Sequence, residues 1–193
     1  MRAYVVNLEK RKDRLETFMA WASKIFDVRV FKAIEGAHSP SASVSEIRTA
    51  CRKACAESHI GVLEEAIREG VYPFVIFEDD AEPCGEVDMS ILNSAPEGLL
   101  YLGALPVKVK ARVPLEGQGW CTFPSIKLYG THAIAYRKET AEKVLEWIKD
   151  RWGNSDTKLV YLQRYCDTWV YLPLPFKQAP GYSDIEKRRM CRR

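Results

Sequence analysis

Tyr72-Pro-Phe-Val-Ile-Phe-Glu-Asp-Asp80 is the stretch on which fold and chemistry both turn. Its first six residues are near-continuously apolar, the pattern of a strand covered on both faces. The next three are carboxylates. Ligands of open α/β sheets bind beyond the carboxyl ends of the strands, so this strand delivers three acids to the usual ligand position. Adjacent carboxylates repel one another, and each that stays ionised needs a compensating cation. A divalent ion shared with a diphosphate supplies one, because hard cations choose oxygen ligands and commonly keep bonds to substrate phosphates. The chemistry that follows is stabilisation of a leaving nucleoside diphosphate. A bare Glu-Asp-Asp is also the composition of a solvated acidic turn; its position after Phe74-Val-Ile-Phe77 is what favours a ligand site.

Outward from this strand, apolar segments alternate between two periods. Before it, Ser45–Glu69 has Ala56, Ile60, Leu63 and Ile67 on one helical face, and Gly70 supplies a C-terminal stop. Glu35–Ser43 is rich in turn formers and reads as a loop. Ala3–Leu8 and Val28–Ala33 are expected strands, with a helix between them carrying Leu15, Phe18, Met19, Ala22 and Phe26. After it come strands at Leu99–Leu102, Thr131–Tyr136 and Thr168–Leu172, with helices over Glu139–Lys149 and Thr157–Tyr165. Pro106–Gly130 has no helical period and reads as irregular or hairpin-like. Strands alternating with amphipathic helices predict an α/β sandwich around a mostly parallel sheet. Residues 1–185 are expected to form one domain and 186–193 a basic tail.

The chain has 193 residues, 47% hydrophobic and 28% charged, which suits one globular domain and argues against disorder. A balance of 29 Lys+Arg against 26 Asp+Glu gives +3, too mild to demand a nucleic-acid partner. The surplus sits in Glu186-Lys-Arg-Arg-Met-Cys-Arg-Arg193, read first as a solvated end and second as a phosphate-binding tail. Cysteines 51, 55, 84, 121, 166 and 191 include no CxxC pair, a pattern that suits a reducing compartment. Cys51 and Cys55 lie one turn apart on the expected helix, a spacing a metal can use. Without a second pair at ligand spacing they read as ordinary thiols. No stretch approaches the ~20 apolar residues of a membrane span, and the N-terminal apolar run is too short for a signal-peptide core, so the expected location is the cytoplasm.

Several short blocks occur in an order that resembles glycosyltransferase family 25. Val5-Val-Asn-Leu8 with Arg11 and Arg14 is similar to the family's opening strand, and Ala54-Cys-Ala-Glu-Ser-His59 to its Ser-His helix. Phe74–Ala81 looks like its apolar strand with the acidic triplet. Tyr101-Leu-Gly103, Gly130–Tyr136 with Ala141, and Pro173-x-Pro175, Gln178 and Ser183-Asp-Ile185 resemble its later blocks. Glu57 stands where the family commonly has an apolar residue, and Pro106–Gly130 is where an acceptor loop would differ. The resemblance implies a GT-A-like, Rossmann-type fold and transfer of a hexose from a UDP-sugar to an acceptor hydroxyl, with inversion and with Mn²⁺ or Mg²⁺.

On that resemblance Asp80 is the principal metal ligand, with Glu78 and Asp79 sharing the metal and the donor ribose. Asn7 is a candidate for the uracil or ribose, its alternative a strand-end cap. Arg11 and Arg14 offer planar forks to the diphosphate, the alternative being a solvated basic helix start. Ser58 and His59 are brought to the donor, where His59 is otherwise a satisfied core histidine. Gln178 and Asp184 close over the diphosphate. Thr131 and His132 line the acceptor side. Inversion needs a base for the acceptor proton; Asp156 is the first candidate, its alternative a helix N-cap, and Asp167 the reserve. The expected acceptor is a glycan or glycoconjugate. One alternative is a hydroxymethylated DNA base, reached by flipping and stacked on Trp120, Phe123, Trp152 or Trp169. Another is a non-catalytic nucleotide-sugar or nucleic-acid binding module.

Overall fold

The computed structural model describes residues 1–109, 111–151, 153–184 and 188–190. Trp152, Ile185, Glu186, Lys187, Cys191, Arg192 and Arg193, named above, lie outside the described residues, and with them most of the expected basic tail. In chain order the elements are β1 (Arg2–Asn7), α1 (Lys12–Ala22), β2 (Asp27–Lys32), α2 (Val44–Glu69), β3 (Phe74–Glu78) and β4 (Ala81–Pro83). A 3₁₀ segment, Met89–Ser94, leads to β5 (Leu99–Lys108), β6 (Ala111–Arg112), β7 (Gly119–Cys121) and β8 (Lys127–Tyr136). There follow α3 (Lys138–Lys149), α4 (Ser155–Leu162), β9 (Thr168–Leu172), β10 (Phe176–Gln178), β11 (Gly181–Ser183) and β12 (Arg188–Met190).

The central sheet runs β2-β1-β3-β8-β5-β9-β7, with β6 on β5. The α/β sandwich is as expected, and its sheet is mixed. Strands β2, β1 and β3 are mutually parallel, as are β5 and β9, whereas β8 lies antiparallel to both β3 and β5. The cause is the 106–130 segment. Both β5 and β8 extend into it as ten-residue strands, so the chain returns beside β5 as a long hairpin. Register shifts around Gly103 mark the irregularity in that pairing.

Both faces of the sheet are covered, which is why β3 carries no polar alternation. Tyr4, Phe74 and Ile76 pack on one side against Val62, Leu63 and Ala66 of α2, with α3 and α4 beyond. Val5, Val75 and Phe77 pack on the other against Phe18 and Ala22 of α1, Leu92 and Phe176. Each such buried side chain contributes about 1.5–3 kcal/mol. Helix α2 begins at a capping box: the Ser43 hydroxyl accepts from the Glu46 N–H, and the Glu46 carboxylate accepts from the Ser43 N–H. It ends at Gly70, whose φ of 68° is the left-handed conformation a glycine takes without strain. Helix α1 is shorter than its apolar spacing suggests. The Ser23 hydroxyl and N–H both turn back to the Met19 carbonyl, and Phe26 reaches the core from the turn beyond. No helix among the described residues is long and apolar enough to cross a membrane.

Candidate active site

Strands β1 and β3 run in parallel with Val6 opposite Glu78, so Asn7 and the three acids emerge together at one end of the sheet. The Asn7 amide donates to Asp79 Oδ2 at 2.7 Å and to the Arg11 carbonyl at 3.1 Å, tying both strand ends to the start of α1. One turn into α1, Arg14 Nη1 lies 2.9 Å from Asp79 Oδ1 and 3.5 Å from Asp80 Oδ2. Burial pushes the Asp79 carboxyl above the ordinary range, opposed by Arg14 and by the Asn7 bond. Arg11 forms a fork with Asp13 and also bonds Asp184, so its guanidinium latches the C-terminal segment to α1.

Asp80 is held differently. Its Oδ2 accepts from Gln178 Nε2 at 3.2 Å, and its carbonyl accepts from the Ala179 N–H at 2.7 Å. Pairing of β4 with β10 places Gln178 there. Asp80 Oδ1 is buried with no hydrogen-bond partner. Burial and the charge of Glu78 raise the Asp80 carboxyl against the opposing pull of Arg14. A buried carboxylate oxygen without a hydrogen-bond partner, beside a second acid, fits a hard divalent ion.

Glu78 turns away from Asp80. It accepts from the Thr131 hydroxyl and lies 3.4 Å from His59 Nε2, within ion-pair range but out of line for a hydrogen bond. Burial pulls the His59 imidazole down, but Cys55 and Glu78 outweigh it and raise the ring to about 10. Burial likewise pushes Glu78 up, and His59 with Thr131 brings it well below the usual range. Among the described residues, the group of three ligand-type side chains whose donor atoms converge within 4.8 Å is Cys55, His59 and Glu78. Glu78 thus lies against His59 and Thr131, while its charge also raises the neighbouring Asp80 carboxyl. Strand β3 ends at Glu78, which follows Ile76 toward α2, and Asp79 and Asp80 stand in the turn beyond it.

Other expectations fall in several places. The Ser58 hydroxyl is spent on packing, donating to the Ala54 carbonyl and accepting the Ile34 N–H. Thr131 faces Glu78 rather than an acceptor groove. Both His132 ring nitrogens are buried and unpartnered, and burial lowers the ring to about 4. The cap of α4 is Asn154, not Asp156. Asp156 accepts from the Gly130 N–H at 3.0 Å, and its carboxyl, raised by burial and by Glu78, lies at about 6. Asp167 is not brought to the site. It precedes β9, which runs parallel to β5 and β3, so it sits at the opposite end of the sheet from Glu78.

A cavity of about 210 Å³ opens at the strand ends. Arg14, Ser58, His59, Glu78, Asp79, Asp80, Gln178 and Asp184 line it; Asn7, Arg11, Thr131, His132 and Asp156 stand outside its wall. His132 instead borders a neighbouring groove with Arg112, Phe176 and Gln178, so Gln178 lies between the two hollows.

Residues 1–86 match glycosyltransferase family 25 (LPS biosynthesis protein). The matched span runs from β1 through the acids at the end of β3, and so takes in most of the cavity wall. It supports a glycosyltransferase. No curated protein matches the chain.

Wall residues Lys10, Glu35 and His38 carry no site role in the sequence reading, and Cys51 and Cys55 read there as ordinary thiols. Cys55 had a local signal in its four-residue spacing from His59, but Glu78, the residue that completes the group, is nineteen positions further on and joins only through the fold.

Proposed function

We propose that the chain is a metal-dependent, inverting glycosyltransferase that moves a hexose from a UDP-sugar to a hydroxyl of a glycan or glycoconjugate. The observation that carries the donor site is Asp80 Oδ1, a buried carboxylate oxygen without a partner on a cavity at the ends of parallel strands. Mn²⁺ or Mg²⁺ held there would neutralise charge on the departing diphosphate. Gln178 fixes the other Asp80 oxygen and so orients the free one toward the cavity. Lys10 and Arg14 give the wall positive charge for phosphate oxygens, and Asp79 with Asn7 holds the Arg14 fork in place. Arg11 and Asp184 keep the C-terminal segment closed against α1. The acceptor enters from the neighbouring groove, which the neutral His132 ring borders. Uridine, hexose and inversion rest on the family resemblance.

Asp80→Asn keeps an oxygen for Gln178 but loses the anion. Transfer should fall about 10²–10³-fold, the cost of removing one electrostatic group from a transition state, with the fold intact by circular dichroism. EDTA should abolish wild-type turnover and Mn²⁺ restore it. Full turnover in EDTA removes the metal from the proposal.

A further inference from the structure

A second cluster shares this wall, and its donors differ in kind from Asp80. Cys55 and His59 stand four residues apart, hence on one face of α2, and Glu78 meets them from β3. Their sulfur, nitrogen and oxygen atoms lie within 4.8 Å of one another. His59 is almost fully buried, and its Nε2, 3.4 Å from Glu78, makes no hydrogen bond.

We propose that Cys55 Sγ, the His59 imidazole and a Glu78 carboxylate oxygen form a site for Zn²⁺ or a similar borderline-soft divalent ion, with its fourth position open to the cavity. The donor set is the argument for the metal. Thiolate with imidazole selects zinc-like ions, whereas Mg²⁺ and Mn²⁺ prefer oxygen-only sets such as Asp80 offers. Metal bonds of about 2.0–2.3 Å set tetrahedral ligand atoms roughly 3.3–3.7 Å apart, a spacing that His59 Nε2 and Glu78 already have at 3.4 Å and that Cys55 Sγ can reach by side-chain rotation. Supporting groups are in place: the Thr131 hydroxyl orients Glu78, and Ser155 Oγ lies 3.5 Å from Cys55 Sγ. Three protein ligands facing a cavity leave room for water or a ligand oxygen, the arrangement of zinc sites that act on bound molecules. The site would also clamp the middle of α2 to the end of β3. It does not depend on the donor reading, since neither Asp80 nor a nucleotide takes part.

The test is a titration of the full, chelator-stripped and reduced chain with Co²⁺. The expected result is a thiolate-to-cobalt charge-transfer band with tetrahedral ligand-field bands, saturating at one equivalent and displaced by Zn²⁺. Cys55→Ser should lose the charge-transfer band, while Cys51→Ser and Asp80→Asn keep it. Absence of the band in the wild type, or its persistence in Cys55→Ser, overturns the site. Should Cys55→Ser fail to fold, alkylation of the wild type decides instead. Zinc should slow modification of Cys55, located by peptide mass, by about tenfold or more, because a ligated thiolate is not free to react. Equal modification with and without zinc overturns the proposal, and neither result bears on Asp80.

Discussion

Arg14 is the counter-charge that lets Asp79 and Asp80 sit side by side under cover. In Arg14→Ala, Asp79 keeps the Asn7 bond but loses its cation, a change worth about 1.5–3 kcal/mol for a hydrogen bond to a charged group. A urea midpoint shift without a change in slope measures it. Asp156 offers a pH test at the same scale. Its folded-state carboxyl lies at about 6, above the ordinary 3.8, so the folded state holds this proton more tightly than the unfolded one. Stability should therefore fall as pH rises from about 4 to 6, and Asp156→Asn should lack that slope. Asp156 accepts from the Gly130 N–H and is not part of the cavity wall, a placement that favours positioning β8, and on that reading Asp156→Asn should transfer within about tenfold of wild type. A loss of ~10²–10⁴-fold with unchanged donor binding would make it the acceptor base after all.

Strand β8 is the element through which distant parts of the chain reach the site. It begins its approach at Gly130, where φ is 90° and an added Cβ would lie 2.8 Å from His132 Nδ1. Gly130→Ala should cost about 1–3 kcal/mol of backbone strain, and should also displace Thr131 from Glu78. The melting temperature should fall by several degrees, and Glu78, without the Thr131 hydroxyl, should hold its proton more tightly and titrate with a less depressed pKa, readable by carboxyl-resolved NMR. Ser43→Ala, by contrast, should cost about 1 kcal/mol at the start of α2 and leave donor binding unchanged. These elements differ in how far the sequence reveals them. Helix α2 carries its cap, its apolar face and its glycine stop locally, and β3 is legible because both of its faces are buried. The length of β8 and its antiparallel insertion are not local properties; they follow from pairing with β5 across a segment of mixed Pro, Gly and charge. The site divides the same way. Asp80 and Arg14 are neighbours of recognisable strands, whereas the partition of Glu78 to His59 and Thr131 depends on where β3 ends and the chain turns, leaving Asp79 and Asp80 beyond the strand.

At the scale of the whole molecule, the cavity lies at the carboxyl ends of β1 and β3, bordered by Gln178 of β10 and by Asp184, which Arg11 ties to α1. Nucleotide and hard cation should bind there as a unit. Calorimetric titration of UDP into the wild type and into Asp80→Asn, each with Mn²⁺ and with EDTA, tests this most directly. The account predicts tight UDP binding only for the wild type with Mn²⁺, with an added stability of about 2.7 kcal/mol at a hundredfold excess over Kd. UDP binding of equal affinity in EDTA, or in Asp80→Asn with Mn²⁺, would contradict it.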